Sequence, residues 1–188
     1  GSDAMLINGR NRLACKELVK DTGRHITVEA IRGLPVIKDL VVDMEPFYER
    51  LRQVQPYVVR DNTGPATSEG VRMDPLALAE SKAMRDCILC GACYSDCNVL
   101  DVESSFLAPA AIVSALRFAK DPRDINTGRA AQAIELGLYK CPVDQECEFA
   151  CPKDIRIRRE GIERLREMAV RRGHGPMAEH KRLINSVI

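Results

Sequence analysis

The chain has no tryptophan, few aromatic side chains (4%) and only three histidines. It also lacks an excess of charge of either sign. Lys and Arg number 28 against 27 Asp and Glu, a formal net charge of +1. A near-neutral balance argues against nucleic acid as the main partner, because phosphate binding leaves a basic footprint. No apolar run approaches the roughly 18 residues that cross a bilayer. No secretory leader is evident. Catalytic constellations are missing as well: there is no nucleophile triad, Gly-rich phosphate loop or pair of catalytic carboxylates. His25, His174 and His180 stand alone and read as surface residues.

What the chain has is cysteine. Eight occur in 188 residues, and seven fall in two tight runs. Secreted disulfide scaffolds are usually shorter than about 100 residues, so these thiols read as metal ligands in a reducing compartment. Cys87, Cys90, Cys93 and Cys97 are spaced by three, three and four. Bacterial ferredoxins hold cubane iron–sulfur clusters with this spacing. Thiolates two residues apart in a tight loop reach adjacent corners of one cluster, and the fourth thiol, carried off on a helix, serves the other cluster. The second run is Cys141, Cys147 and Cys151-Pro152, with Asp144 where a full run has its second cysteine. Zinc sites favour two C-x2-C pairs or Cys/His mixtures instead.

Upstream, Met5–Cys15 reads as a β-hairpin about an Asn8-Gly9 turn. His25–Ile31 alternates as a strand, and Leu34–Asp43 is apolar and β-branched. A short helix follows near Glu45 to Val54. Two strands are marginal alone, so the chain reads as starting within a domain. Pro56, Gly64-Pro65 and Gly70 mark a linker. Asp74 then caps a helix opened by Pro75, which delivers Cys87. Leu107–Lys120 has apolar residues at helical spacing (Ala110, Val113, Ala115, Leu116, Ala119), ended by Asp121-Pro-Arg-Asp124. Thr127–Leu138 carries Ala130, Ala133, Ile134 and Leu138 on one side. A basic helix runs from about Arg158 to Arg172, with Glu160/Arg164 and Glu167/Arg171 as i,i+4 pairs. That basic stretch reads as a solvated face, or more sharply as one docked toward anionic lipid headgroups.

Asn8-Gly9, Leu13-Ala-Cys15, Pro35–Met44 with Phe47-Tyr48, and Phe106–Asp124 resemble the iron–sulfur subunit of succinate dehydrogenases and fumarate reductases. The resemblance covers residues 3 to about 170. It implies an α+β chain: a remnant of a plant-type [2Fe–2S] ferredoxin (β-grasp) domain over 1–55, a linker over 56–74, an all-α bacterial two-cluster ferredoxin-type domain over 75–172, and a tail over 173–188. Some members ligate [2Fe–2S] through an Asp in a C-G-S-D sequence, twelve residues before the last cysteine of that site. Asp3 lies twelve residues before Cys15, so Asp3 and Cys15 are read as ligands. The alternatives are a cloning scar at residues 1–5 and a plain buried thiol at Cys15.

The same resemblance implies Cys87, Cys90, Cys93 and Cys151 on a [4Fe–4S] cluster and Cys97, Cys141 and Cys147 on a [3Fe–4S] cluster. Many members have an apolar residue at the position of Asp144. A carboxylate there reads either as a harder, extra ligand for a labile fourth iron or as a surface acid. The implied partners are a flavoprotein subunit carrying FAD, membrane-anchor subunits and a quinone. The implied location is peripheral, on the cytoplasmic or matrix face of an energy-transducing membrane, within respiratory complex II of the tricarboxylic acid cycle. Three further positions depart from the family. Pro142 and Val102 stand where many members have His and Trp near the quinone, and Asn98 replaces the usual Pro after Cys97. The acceptor end is therefore open. Arg172–His180 resembles linkers to cysteine-rich domains in thiol:fumarate-reductase- and heterodisulfide-reductase-like subunits, which is the second reading. A stand-alone ferredoxin-like carrier is the third.

Overall fold

The computed structural model describes residues 3–61 and 72–175. The linker centre, His180 and most of the expected tail lie outside the described residues.

The hairpin forms as its turn chemistry predicts. Strands β1 (Ala4–Ile7) and β2 (Arg10–Leu13) pair antiparallel, from Ala4 opposite Leu13 to Ile7 opposite Arg10. Asn8 and Gly9 both take the left-handed conformation that a two-residue turn of this type requires. Burial alternates along β2, with Asn11 and Leu13 inward and Arg10 and Arg12 outward. The expected strand at His25–Ile31 is shorter. Only β3 (Val28–Glu29) pairs, on the far side of β1, giving the order β2-β1-β3. The Asn8 side chain accepts from the Thr27 N–H at 2.9 Å, tying the turn to that strand.

Leu34–Asp43 is not one strand but a small hairpin, β4 (Val36–Lys38) with β5 (Val41–Val42). Asp39, at a φ of 52°, turns the chain between them. Helix α1 (Glu45–Gln53) follows, burying Phe47 and Leu51.

Asp74 caps α2 (Pro75–Glu80), its carboxylate accepting from the Leu76 and Ala77 N–H groups at 3.0 and 3.1 Å. The helix expected to run on to Cys87 instead breaks at Ser81 and resumes as α3 (Lys82–Arg85). The Ser81 hydroxyl donates back to the Ala77 and Leu78 carbonyls, which competes with straight helix.

Two short helices follow the start of the first cysteine run, α4 (Ala92–Ser95), which holds Cys93, and α5 (Asn98–Val102), which begins just after Cys97. Helix α6 (Pro109–Ala119) is the centre of the helical half, with every residue from Pro109 to Leu116 buried. A helix apolar all round belongs in a core. Helix α7 (Arg129–Glu135) is shorter than its pattern suggested, because Gly137 (φ 91°) ends it and Leu138–Lys140 winds as a 3-10 turn. Helix α8 (Glu146–Phe149) holds Cys147, the middle cysteine of the second run.

The last helix is composite. Ile157–Glu163 winds as π-helix and α9 (Arg164–Arg171) continues it. Its ion pairs differ from the expected i,i+4 set. Arg164 meets Glu167 at 3.6 Å and Arg158 meets Glu163 at 2.9 Å, since the wider π turn shifts side-chain phase.

Arg129 is the largest fully buried side chain, at 1% exposure. It donates to Asp124 at 2.7 Å and to the Val54, Gln55 and Tyr57 carbonyls, and its guanidinium stacks over Phe118. It binds the segment after α1 to the helical half. Among the described residues, no helix is long and apolar enough to cross a membrane.

Candidate metal centre

The β1–β2 pairing closes the twelve-residue gap between Asp3 and Cys15. The Ala14 N–H donates to the Asp3 carbonyl and the Cys15 N–H to its carboxylate, both at 3.0 Å. Hydrogen bonds from the Cys15 thiol and N–H hold the Asp3 carboxyl below its usual range, and the same carboxylate holds the thiol above its own. Cys15 is exposed, so it is not a buried packing thiol.

Cys87, Cys90, Cys93 and Cys151 line one recess, with Leu89, Ala110, Val113, Ile155 and Ile157 as its apolar wall. The chain curls to bring the first three together: Leu89 and Gly91 both take positive φ, 55° and 83°. A Cβ on Gly91 would also stand 3.2 Å from Ile31, so the N-terminal half packs directly on this loop. Burial raises the Cys87 and Cys90 thiols and pushes Cys93 well up, and the neighbouring thiols of the same set add to it.

Cys97, Cys141 and Cys147 form a second set. Cys97 ends the first run at the start of α5, Cys141 follows the 3-10 turn, and Cys147 lies on α8. Burial pushes the Cys97 thiol to about 11 and raises Cys141 and Cys147 as well. The Asp144 charge acts on all three. Asp144 itself is exposed and accepts a long hydrogen bond, 3.5 Å, from the Asn98 carboxamide. Pro142 and Val102 are also exposed, Val102 at 87%. The two sets adjoin, since α4, which holds Cys93, packs on α8, which holds Cys147, within one buried cluster.

Arg166 was hidden within the basic stretch read as a solvated face. It is half-buried, stacks over Tyr139 and donates to the Leu138 and Cys141 carbonyls at 2.9 and 2.8 Å. Its charge pulls against burial at the Cys141 thiol. Charge count alone carries no signal that distinguishes it from its neighbours.

Cross-links join the Cys15 end to the first thiol set. Leu13 packs with Cys90, Ala92 and Ala150. The Lys16 ammonium donates to the Pro152 carbonyl at 3.2 Å, beside Cys151. The Asn11 carboxamide donates to Asp96, and the Arg32 N–H to the Ser95 hydroxyl at 2.8 Å. The Cys15 end thus lies against the first set, and the first set lies against the second.

Among the described residues, no three His, Cys, Asp or Glu side chains converge on a single metal ion. A cubane asks for something else. Each thiolate binds a different iron, so the sulfurs must ring a cavity. Buried thiols without a counter-charge resist ionisation, and bound iron supplies that charge. The four thiols around an apolar recess fit such a cluster.

Iron–sulfur domain families match both halves of the chain. The model of a 2Fe–2S iron–sulfur cluster binding domain matches residues 1–49, and that of a 4Fe–4S dicluster domain matches residues 83–155. The succinate dehydrogenase iron–sulfur subunit of Coxiella burnetii is 33% identical over 174 residues, covering 89% of this chain and 73% of that protein. The chain belongs to the iron–sulfur subunits of succinate dehydrogenases and fumarate reductases. A chain of the Mycobacterium smegmatis Sdh1 complex in the apo form superposes with a TM-score of 0.81 at 29% identity, covering 95% of this chain and 76% of that one. One subunit of the fumarate reductase (CoM/CoB) of Methanothermobacter marburgensis is 35% identical over 183 residues, 97% of this chain. This chain spans only 35% of that relative's length. The mixed α+β fold, a 2Fe–2S-type region of small sheets followed by a helical dicluster region, is the fold of this family.

Proposed function

We propose that the chain is the electron-transfer subunit of a succinate dehydrogenase or fumarate reductase. It passes electrons between a flavoprotein subunit carrying FAD and a membrane quinone, and it sits peripherally, against a membrane-anchor subunit, on the cytoplasmic or matrix face. Asp3 and Cys15 hold part of a [2Fe–2S] cluster. Cys87, Cys90, Cys93 and Cys151 hold a [4Fe–4S] cluster, and Cys97, Cys141 and Cys147 a [3Fe–4S] cluster. The domain limits are those of the sequence reading: 1–55, 75–172, and the linker between them.

One observation carries this reading: the thiols fall into two adjoining sets, with the Cys15 end of the hairpin packed against the first. Bound clusters supply one-electron relays whose potentials depend on cluster type, charge and surroundings. The chain's own residues hold them and keep water away. Ile155, Ile157 and Val113 wall the first set. Arg166 places a cation by Cys141. The Lys16, Asn11 and Arg32 contacts fix the gap between the Cys15 end and the first set. The two-electron chemistry belongs to the flavin of the partner.

A second reading replaces quinone by a thiol or heterodisulfide acceptor. The methanogen relative, matched along nearly the whole chain, favours it, as do Pro142, Val102 and Asn98 near the second set. The test is purification of the native complex, with paramagnetic resonance during a redox titration and identification of the co-purifying subunits. The leading reading expects three cluster types, an FAD subunit and quinone reactivity. A cluster-free protein, or one carrying zinc, overturns it. Electron exchange with thiols and none with quinone analogues moves the assignment to the second reading.

A further inference from the structure

The second thiol set offers three sulfurs, one short of the four that the first set provides. The matching dicluster model describes two 4Fe–4S clusters, and it spans residue 144. Asp144 takes the place of the absent cysteine in the run, three residues after Cys141 and three before Cys147. The loop around it is sharply bent. Val143 and Gln145, on either side, both adopt left-handed backbone, φ 70° and 75°. A β-branched residue in that region is a strained outlier, held only where surrounding structure demands it. The Val143 N–H points back to the Cys141 sulfur at 3.3 Å. Asn98, immediately after Cys97, reaches across to the Asp144 carboxylate at 3.5 Å. Two departures from the family, Asn98 and Asp144, are therefore partners, and they meet beside the second set of thiols.

We propose that Asp144, steered by the Asn98 carboxamide, is the fourth ligand of the second thiol set and lets this site take up and release a fourth iron. The inference rests on the cluster assignment proposed above and deepens it. A carboxylate is a harder ligand than a thiolate and suits iron less well, so the iron it holds is the labile one. Asp144 is exposed, which gives that iron a route from solvent. The long Asn98 bond holds the carboxylate near the set without committing it. The uptake step balances simply. One electron from dithionite takes a [3Fe–4S]1+ core to [3Fe–4S]0. That core and one Fe2+ then give [4Fe–4S]2+, with the Asp144 carboxylate completing the new iron. Loss of Fe2+ reverses the second step. The site would thus sense ferrous iron and reducing conditions, and it would change its potential with its nuclearity.

The test uses the purified native protein under anaerobic conditions, with dithionite and ferrous iron as the probes. Paramagnetic resonance and protein-bound iron are measured for wild type, Asp144→Ala, Asp144→Cys and Asn98→Ala. In wild type the integer-spin signal of the dithionite-reduced [3Fe–4S]0 core is expected to vanish as one further iron is bound per chain. Asp144→Ala should keep the three-iron signal at iron excess. Asp144→Cys should hold four irons after reoxidation, when wild type has released one. Asn98→Ala should need more ferrous iron for half conversion. A wild-type [3Fe–4S] signal unmoved by excess ferrous iron overturns the inference and leaves the electron-transfer assignment standing. Conversion of Asp144→Ala as readily as wild type also overturns it. No cluster of either kind on Cys97, Cys141 and Cys147 overturns the cluster assignment itself, and the inference with it.

Discussion

The two halves of the chain solve burial differently. The helical half wraps α6, with Phe106, Leu107, Ile112, Leu116, Leu138, Ile162 and Leu165 all at 1% exposure or less. Its thiols are buried or half-buried. The N-terminal half is built from strands of two to four residues and leaves Val36, Ile37, Leu40 and Val41 exposed on the small hairpin. Its one cysteine is exposed too. Most of the fully buried side chains therefore surround α6, and the N-terminal half joins them through Ile31, Leu34, Phe47 and Val54, with Leu13 and a few polar contacts at the cysteine loops. The helical half carries seven of the eight cysteines.

The junction gives the strongest test of that contrast. Arg129→Met leaves the Asp124 carboxylate buried without its partner and removes donors from three carbonyls. Breaking a buried pair on one side costs about 3–5 kcal/mol. Arg52→Met, which breaks the exposed pair with Glu45, should cost no more than about 1 kcal/mol. Urea unfolding of both variants reads the difference. Equal losses would break the contrast between the core and its surface.

Next in size is a pair of truncations. Leu116→Ala empties a site with 0% exposure in α6 and should cost about 2–5 kcal/mol. Ile37→Ala, at 68% exposure on β4, should stay within about 0.5 kcal/mol for the chain alone. A large loss at Ile37 would mean that the small hairpin contributes to a core. A smaller effect is expected from Asp74→Ala, which removes the cap of α2 at a cost of about 1 kcal/mol, read as a lower unfolding midpoint.

The sequence made the halves unequally legible, for physical reasons. Cysteine spacing is local chemistry, so both runs were visible, and so were the Asp74-Pro75 cap and the Asn8-Gly9 turn. Ala130, Ala133 and Ile134 lie on a buried helical stripe and are buried as read. The β4–β5 hairpin was missed because its turn, Asp39-Leu40, sits at only a brief polar dip, Lys38-Asp39, in an apolar stretch. The π turn at Ile157–Glu163 leaves no mark on an apolar pattern of ordinary helical period. Arg129 and Arg166 were missed because a buried arginine has the same letter as a solvated one. Their burial is set by carbonyls distant in sequence: Val54 and Gln55 for Arg129, Leu138 and Cys141 for Arg166. Asp3 and Cys15 were readable as a pair only through the family resemblance, and the hairpin register then brings them into contact.

Acid gives the finest comparison between the halves. Asp121, at the end of α6, is held below the usual carboxylate range mainly by hydrogen bonds from the Arg123 side chain. A depressed folded-state pKa contributes stability above the unfolded value of about 3.9. That contribution is lost as pH falls through the folded value. Asp121→Asn should therefore lower stability at pH 6 by less than about 1 kcal/mol and flatten its fall below pH ~4. Asp3 is also depressed, with the same sign, but by the Cys15 contact at the surface. Asp3→Asn should leave the stability curve of the metal-free chain closer to wild type than Asp121→Asn does. A greater flattening in the Asp3 variant would show that the β1–β2 ends carry more of the fold than their exposure suggests, and it would shift weight toward the N-terminal half.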